Sequence, residues 1–305
     1  MKLPLSKYVW LDGKYIPTEK ATIPITTHAI HYGTSVFEGI RAYWSVGNLF
    51  IFRLYDHIKR FRKSGSFYNM SLNFSDSQIN NAIIGLCKKN KIKKSCYIRP
   101  FYFIGEYGIN LHVTNMAPTH AAAFVFPLGH LFDKNGISVG VSSWRKFSDV
   151  STPPQAKMGG NYLNSIIATQ EAKNNGFDEA ILLDHTGNVS EAPGENIFIV
   201  RDEKIITPTL SSSALDGITR DTVITIAKDL DMDVIQRDIP RSEIYLADEI
   251  FLTGTAAEIT PVTCVDKKKI NDGIIGDVTK KLISSYHTIV RNKNSHYSHW
   301  LTAVY

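Results

Sequence analysis

The segment Gln155-Ala156-Lys157-Met158-Gly159-Gly160-Asn161-Tyr162 places one lysine among small side chains. It follows Ser151-Thr152-Pro153-Pro154, which is stiff because proline restricts the backbone, and it precedes a helix-like run from Asn164 to Asn174. The adjacent glycines let a backbone or a ligand come within contact distance, because neither has a Cβ atom. A lysine held there can lose its proton on partial desolvation and become a nucleophilic amine. Isolated lysines are usually solvated, so three later stretches must decide which interpretation applies.

The composition indicates a globular protein without a nucleic-acid or membrane partner. The 305 residues are 43% apolar and 21% charged, with a formal net charge of +5, which is ordinary for one large or two ordinary domains. The longest basic run, Lys88 to Lys94, is better explained as the solvated end of a helix than as a nucleic-acid surface. No apolar run approaches the roughly 20 residues of a membrane helix, and no secretory leader opens the chain. We therefore expect a cytoplasmic enzyme or binding protein.

The first part of the chain carries the strand and helix signals of an α+β domain. Asp12-Gly13 is a two-residue turn between the strand-like runs Tyr8 to Leu11 and Lys14 to Ile16, which predicts a β-hairpin. Apolar residues at helical spacing predict helices over Asp56 to Tyr68 and Ser75 to Asn90.

Glycine-bounded polar sequence marks a boundary within the chain. The segment 129–136 has this character, and such segments commonly link domains. We therefore expect a small N-terminal α+β domain over residues 1–128, a linker over 129–136, and a large C-terminal cofactor-binding domain over 137–305.

Three stretches of the second half complement the lysine. Val189 to Asn196 brings two carboxylates into a turn shaped by glycine and proline. In Ser213 to Asp221, a glycine precedes a helix, whose unpaired amides can hold a phosphate or be capped by the helix's own side chains. Thr253 to Pro261 places small and hydroxyl residues after a strand, where they can offer amides to an anion or simply form a tight turn. Each stretch alone has an ordinary structural explanation.

A pyridoxal-phosphate enzyme needs a nucleophilic lysine, an acid and backbone amides that bind an anion. The four stretches together offer one such lysine, one such acid and two such anion-binding segments. The longer motifs His28 to Arg41 and Tyr97 to Pro100 make the likeness specific. The sequence resembles the branched-chain amino-acid aminotransferases of the fold-type IV pyridoxal-phosphate class over nearly its whole length. That resemblance implies a two-domain α+β fold of the D-amino-acid aminotransferase type, with pyridoxal 5'-phosphate at the domain interface.

The resemblance also implies a role for each residue that matches a family motif. Lys157 matches the catalytic lysine, which forms the Schiff base with the cofactor and moves the proton. Glu191 matches the acid at the pyridine nitrogen, and Tyr162 the phenol at the ring oxygen. The residues matched to the phosphate are Arg60, Gly217, Ile218, Thr219, Gly254 and Thr255.

The family resemblance assigns a further set of residues to the substrate. They are Tyr32, Phe37, Tyr97, Arg99, Leu111, Thr255 and Ala256. Thr255 and Ala256 match amides directed at the substrate carboxylate, while Tyr32 and Arg99 match groups that receive the second carboxylate of glutamate. Leu111 matches a loop that a neighbouring subunit contributes, so the resemblance implies a homodimer at least, with hexamers known among bacterial members.

The substrate pocket is also where this sequence departs from the family pattern. Many bacterial relatives carry a tryptophan and, three positions later, a tyrosine where this chain has Leu128 and Leu131. The pocket remains apolar, as isoleucine, leucine and valine require, but one aromatic wall and one hydroxyl are missing. We expect reversible transamination between these amino acids and 2-oxoglutarate, with glutamate held less firmly.

Other functions remain open on the residues alone. D-amino-acid aminotransferase and aminodeoxychorismate lyase share the fold, although the motifs Glu38 to Arg41 and Tyr97 to Pro100 favour the branched-chain group. A catalytically silent binding protein is a further alternative, against which the retention of Lys157, Glu191 and Tyr162 argues.

Neither histidines nor cysteines indicate a metal site. The pairs His28/His31 and His296/His299 are spaced i, i+3, but no carboxylate or cysteine completes either set. Cys87, Cys96 and Cys264 lack metal-like spacing and suit a reducing compartment. We expect no metal.

Overall fold

The computed structural model describes residues 4–305. The helices are α1 (His28–Tyr32), α2 (Leu54–Gly65), α3 (Asp76–Lys89), α4 (Tyr162–Asn174), α5 (Ile218–Asp229), α6 (Arg241–Ile244) and α7 (Asp277–Val290). The strands are β1 (Tyr8–Leu11), β2 (Lys14–Pro17), β3 (Ser35–Phe37), β4 (Ile40–Ser45), β5 (Asn48–Phe52), β6 (Cys96–Ile104), β7 (Thr119–Pro127), β8 (Ile137–Arg145), β9 (Glu179–Leu183), β10 (Val189–Glu191), β11 (Asn196–Arg201), β12 (Lys204–Thr207), β13 (Val234–Gln236), β14 (Glu249–Gly254), β15 (Glu258–Val265), β16 (Lys268–Lys269) and β17 (Leu301–Ala303).

The chain folds into two compact units. The first contains the chain up to Gly129, together with Ala156–Gly160 and Thr288–Tyr305. The second contains His130–Gln155 and Asn161–His287. Each unit has one sheet and helices packed on it, so the α+β fold class expected from the sequence is confirmed.

The sheet of the first unit has the strand order β17-β5-β4-β6-β7-β1-β2, with β3 paired to β6. All its pairings are antiparallel. Helices α2 and α3 pack against each other and contribute buried Ile58, Phe61, Ile83 and Leu86 to the core. This apolar stripe at helical spacing is what holds the helices to the sheet.

Turn and capping residues in the sequence correctly predicted the positions of several elements of the first unit. Asp12 and Gly13 have φ values of 44° and 87°, and they join β1 to β2 as a hairpin. Ser75 caps α3 through a capping box, because its side chain accepts from Gln78 N–H while the Gln78 side chain accepts from Ser75 N–H. The sequence from Ser35 to Tyr43 predicts one continuous strand, but the structure interrupts it, because Glu38 and Gly39 lie between β3 and β4.

The sheet of the second unit has the order β10-β9-β8-β15-β14-β11-β12-β13, with β16 paired to β15. Strand β8 pairs in parallel with both β9 and β15, whereas β14 is antiparallel to β11 and β15. The central strands are almost entirely buried, as their continuous apolar sequences require. Helix α4 begins at Tyr162, two residues before the start predicted at Asn164, and α5 begins at Ile218, directly after Gly217.

The predicted domain boundaries need correction at two places. The tail was expected in the C-terminal domain, but β17 adds to the sheet of the first unit by pairing with β5. The lysine segment Ala156–Gly160 also belongs to the first unit. In both cases the chain supplies buried apolar side chains, Val304 and Met158, to a core formed by residues far away in sequence. The predicted linker 129–136 is not a separate segment: Gly129 belongs to the first unit and the chain from His130 belongs to the second.

Among residues 4–305, there is no helix with the length and apolar character that a membrane span requires.

Candidate active site

Lys157 lies in the first unit, where its segment is held against α2 and β3. Its backbone N–H donates to Ser64 Oγ at 2.9 Å, and its carbonyl accepts from Phe37 N–H at 3.2 Å. The flanking Ala156 and Met158 are buried in the core. The lysine side chain is partly buried, with Nζ 4.9 Å from the centroid of the Phe37 ring. Lys157 is therefore not a solvated loop residue.

Glycines allow this segment to approach the turn before β3. A Cβ atom on Gly159 would lie 2.2 Å from Ser35 Oγ, and one on Gly33 would lie 2.9 Å from Gly160 Cα. Gly33 also has a φ of 65°, and its carbonyl accepts from Gly160 N–H at 3.1 Å. The close approach predicted from adjacent glycines therefore occurs between two backbone segments.

The surroundings of Lys157 make its amine easier to deprotonate. Burial, followed by the cations Arg60 and Arg99, lowers the pKa of Lys157 to about 8, against the opposing effects of Glu38 and Tyr97. An ordinary lysine has a pKa near 10.4. A much larger fraction of this amine is therefore neutral, and nucleophilic, near neutral pH.

Arg60 is bound by a buried carboxylate. Glu38 accepts from Arg60 Nε at 2.6 Å, from Arg60 Nη2 at 2.8 Å and from His57 Nδ1 at 2.8 Å. Burial alone would raise the pKa of Glu38, but the arginine and the hydrogen bonds hold it well below its usual range. Burial lowers the pKa of His57 despite the neighbouring acid. The set therefore holds an ionised Glu38, a cationic Arg60 and a neutral His57.

Three of the predicted substrate residues meet beside Lys157. Tyr97 and Arg99 are two residues apart on β6 and so lie on the same face of the sheet. Arg99 Nη2 donates to the Tyr97 hydroxyl at 3.0 Å, and its guanidinium lies 4.6 Å from the centroid of the Phe37 ring. Arg99 Nε is buried and has no hydrogen-bond partner among residues 4–305. Gly39 leaves room for this group, because a Cβ there would lie 1.8 Å from the Tyr97 hydroxyl.

Tyr32 and Leu111 belong to a more exposed part of the first unit. The Tyr32 hydroxyl donates to the Ile109 carbonyl at 3.4 Å, and its ring lies 4.6 Å from the His28 ring. His28 Nε2 lies 3.1 Å from the Asn110 carbonyl. Leu111 itself is 76% exposed. The structure therefore places Tyr32 against the loop that carries Leu111.

Glu191 lies in the second unit, at the end of β10, and is buried. Its Oε1 is 2.6 Å from Lys146 Nζ, while its Oε2 accepts from Asn196 Nδ2 at 3.1 Å and from Leu215 N–H at 2.9 Å. Lys146 and Asn196 are buried as well. The carboxylate is therefore both ion-paired and hydrogen-bonded, which offsets the cost of burying it away from water.

Asn196 connects the Glu191 stretch to the start of α5 and to β14. Its Nδ2 also donates to the Leu215 carbonyl at 2.8 Å, and a Cβ on Gly217 would lie 1.9 Å from its Oδ1. Strand β11 pairs Asn196 with Thr253, which places Gly254 beside Glu195. The three stretches singled out in the second half of the sequence therefore converge within one unit.

The start of α5 is suited to hold an anion. Gly217 is the N-cap and provides no side-chain cap, and Thr219 in the first turn is buried. The amides of a first turn and the helix dipole both favour a negatively charged group such as a phosphate. Thr255 and Ala256 follow Gly254 in the turn between β14 and β15, and both are partly buried. The residues present thus fit a phosphate-bearing cofactor.

The predicted site residues form a group in each unit. Those in the first unit are Tyr32, Phe37, Arg60, Tyr97, Arg99, Leu111 and Lys157. Those in the second unit are Tyr162, Glu191, Gly217, Ile218, Thr219, Gly254, Thr255 and Ala256. Tyr162 opens α4 and is partly buried. Among residues 4–305, no cluster of three or more histidine, cysteine, aspartate or glutamate side chains has the arrangement of a metal site.

Sequence reasoning did not single out Glu38, His57 and Lys146 as parts of the site. A signal was present for the first two, because Glu38 interrupts an apolar run and His57 and Arg60 share a helix face at i, i+3. Lys146 directly follows β8, whose last three residues are exposed, so its position carries a weaker signal. Ionic pairing between such distant positions depends on the tertiary fold.

Comparison with known proteins identifies the family. Residues 35–265 match the family described as amino-transferase class IV. The branched-chain-amino-acid aminotransferase of Escherichia coli (strain K12) is 38% identical over 301 residues, which cover 97% of this chain and 97% of that protein.

Solved structures agree with this assignment. The branched-chain aminotransferase from Thermoproteus uzoniensis with norvaline has a TM-score of 0.95 and 40% identity, covering 98% of this chain and 100% of that one. The branched-chain amino acid aminotransferase from Thermobaculum terrenum in its PLP-form has a TM-score of 0.93 and 36% identity, with 99% of both chains covered. The resemblance found in the sequence is confirmed: this chain belongs to the class IV aminotransferase family.

Proposed function

We propose that the chain is a branched-chain amino-acid aminotransferase. It transfers the amino group reversibly between L-leucine, L-isoleucine or L-valine and 2-oxoglutarate, giving the corresponding 2-oxo acid and L-glutamate. The observation that carries the proposal is Lys157, whose amine has a pKa of about 8 beside Arg60 and Arg99 at the position of the family's catalytic lysine.

The cofactor of this reaction is pyridoxal 5'-phosphate. When bound, it supplies the electron sink that stabilises negative charge at the substrate α-carbon. Lys157 is the amine that would bind it covalently, Glu191 would meet its ring nitrogen, and Tyr162 its ring oxygen. Its phosphate would be held by Arg60, the first turn of α5 and Thr255. The hydrogen-bonded carboxylate of Glu191 and the start of α5, whose N-cap Gly217 has no side chain, support these roles.

The chain's own groups also perform the proton transfers and the substrate binding. A neutral Lys157 amine can take a proton from the substrate α-carbon and return it, which is general acid–base catalysis. Arg99 presents a cation beside the Phe37 ring, so one pocket offers both an apolar wall and a partner for the second carboxylate of glutamate. Thr255 and Ala256 are the residues we assign to the α-carboxylate.

The first test combines cofactor binding with a panel of amino donors. Addition of pyridoxal 5'-phosphate to the apo-protein should produce the absorbance band of covalently bound cofactor, and Lys157→Ala should lack it. With 2-oxoglutarate as acceptor, leucine, isoleucine and valine should all yield glutamate, whereas D-alanine should react weakly. A preference for D-alanine, or release of pyruvate from aminodeoxychorismate, would contradict the proposed substrate class.

Leu128 and Leu131 sharpen the substrate proposal. One methylene in an apolar pocket changes binding by about 1–3 kcal/mol, so discrimination among the three branched-chain donors should be modest. We expect the double variant Leu128→Trp/Leu131→Tyr to lower the KM for glutamate, because it restores a hydroxyl for the second carboxylate. The matched control is Leu128→Trp alone, which adds only the wall. An unchanged KM for glutamate in both variants would remove these positions from the pocket.

We further propose a cytoplasmic homodimer, or a hexamer composed of such dimers. The exposed Leu111 supports a loop that another subunit covers, and the free cysteines Cys87, Cys96 and Cys264 are compatible with a reducing compartment. Sedimentation of the purified protein would distinguish a monomer from these assemblies.

A further inference from the structure

Glu38 is the most completely enclosed acid around the candidate lysine. Its exposed fraction is 0%, and its backbone N–H donates to the Pro100 carbonyl at 2.9 Å. It lies in the interruption between β3 and β4. His57 and Arg60 lie one turn apart on α2, on the same helix face. Both reach the Glu38 carboxylate.

The three side chains form a fully specified hydrogen-bonded set. An ionised carboxylate can only accept hydrogen bonds, so His57 Nδ1 must carry the proton that it shares with Glu38 Oε2 at 2.8 Å. Arg60 donates from Nε to Oε1 at 2.6 Å and from Nη2 to Oε2 at 2.8 Å. A planar guanidinium bound at two points by one carboxylate has a defined orientation.

The fixed orientation of Arg60 also determines where its remaining N–H donors lie. Arginine has five N–H donors in a rigid fork, and Glu38 occupies those on the Nε and Nη2 edge. The Nη1 group therefore lies on the side away from the carboxylate. The side chain of Arg60 is only 14% exposed, so little water is available to replace a lost partner.

We infer that Glu38, with its hydrogen bonds completed by His57, is a positioning residue that holds Arg60 in the orientation needed to bind the cofactor phosphate. The inference rests on the proposed function, since it assigns a phosphate to Arg60. Glu38 acts through Arg60 and does not itself touch the cofactor. Its negative charge would repel a phosphate, so its benefit lies in geometry.

The decisive measurement compares two ligands of the apo-protein. Pyridoxal 5'-phosphate and pyridoxal differ only in the phosphate, so the ratio of their dissociation constants reports the phosphate contribution. Glu38→Gln places an amide nitrogen against an arginine N–H or against the histidine, and so disrupts the set. At a pH well above the Lys157 pKa of about 8, where loss of the Glu38 charge no longer changes the amine's protonation, we expect it to weaken pyridoxal 5'-phosphate binding about tenfold, which corresponds to about 1.4 kcal/mol, and to leave pyridoxal binding unchanged.

Two further variants distinguish positioning from charge and from general damage. Arg60→Lys keeps the positive charge but cannot bind the carboxylate at two points, so it should lose the phosphate preference as Glu38→Gln does. Combining Glu38→Gln with Arg60→Met should be no worse than Arg60→Met alone, because Glu38 then has nothing to position. The control is Glu243→Gln, which breaks a similar carboxylate–guanidinium pair with Arg237 in the second unit and should leave the ratio unchanged.

The possible results separate the inference from the proposed function. If the wild-type protein binds pyridoxal 5'-phosphate more tightly than pyridoxal and Glu38→Gln keeps that preference, the inference fails and the function stands. Equal loss for both ligands in Glu38→Gln also overturns it, because that result indicates a general structural role. If the wild-type protein binds neither ligand, the proposed function itself fails.

Discussion

Each unit contributes to the candidate site a buried carboxylate paired with a cation, but the two pairs differ in construction. In the first unit, Glu38 is held by Arg60 and by a neutral His57. In the second, Glu191 is held by Lys146 and by the uncharged donors Asn196 and Leu215 N–H. Arginine offers a planar fork, whereas lysine is a compact point charge. The arginine pair therefore defines an orientation, and the lysine pair mainly compensates a charge.

The pairs also differ in which member faces the proposed chemistry. In the first unit, we assign the function to the cation Arg60 and the positioning role to the carboxylate of Glu38. In the second, we assign the function to the carboxylate of Glu191, whose charge Lys146 compensates. The comparison teaches that a buried ion pair need not be a stabilising device, since such pairs contribute little net stability. Here each pair presents one charged group in a defined state.

The largest expected effect separates the two buried lysines. Lys157→Ala should lower turnover by about 10⁴-fold, the upper range for general acid–base catalysis, because the amine that moves the proton is removed. Lys146→Arg, which retains a cation beside Glu191, should keep most of the activity. Steady-state kinetics with leucine and 2-oxoglutarate would measure both. Near-normal turnover in Lys157→Ala would overturn its assignment as the catalytic lysine.

The next effect tests charge compensation in the second unit. Lys146→Met leaves Glu191 buried without its cation and should lower the free energy of unfolding by about 3–5 kcal/mol. The double variant Lys146→Met/Glu191→Gln should recover much of that loss, because no buried charge remains. Urea denaturation of the apo-proteins would measure it. Additive losses in the double variant would show that the two residues are not coupled.

A smaller effect is expected when the functional carboxylate itself is neutralised. Glu191→Gln should lower kcat by about 10²–10³-fold, the size found when a group that stabilises developing charge is removed, with little change in KM. Glu195→Gln, in the same turn, is the matched control. If Glu195→Gln is the more damaging change, Glu191 is the wrong carboxylate of the pair.

The smallest effect is a shift in pH dependence caused by Arg60. Burial and then the Arg60 cation lower the pKa of Lys157 to about 8, so the reaction of the apo-protein with pyridoxal should rise with pH through a midpoint at about pH 8. Removal of the cation in Arg60→Met should move that midpoint to higher pH. Pyridoxal lacks the phosphate, so phosphate binding does not affect this measurement. Arg237→Met should leave the midpoint unchanged, and no shift in Arg60→Met would remove Arg60 from the surroundings of the amine.

Much of the fold could be predicted because its signals are local. The hairpin at Asp12-Gly13 and the capping box at Ser75 each depend on residues a few positions apart. Apolar patterning within one element predicts a strand over Val234 to Gln236 and a helix over Val278 to Arg291, and β13 and α7 lie within one residue of these bounds. The class IV aminotransferase family was also recognisable, because its motifs are contiguous stretches that keep their order along the chain.

The remaining features depend on segments that meet only after folding. Strand β17 joins β5 across about 250 residues, and the Lys157 segment packs with the first unit although it lies between portions of the second. The ion-pair partners of Glu38 and Lys146 could not be predicted from the sequence. Such a pair depends on which side chains are buried together in the fold, and no short-range spacing encodes it. Local sequence is thus sufficient to predict secondary-structure elements and family motifs. The charge state and orientation of buried groups arise from tertiary packing, because packing excludes water and each buried group can then interact only with its protein neighbours.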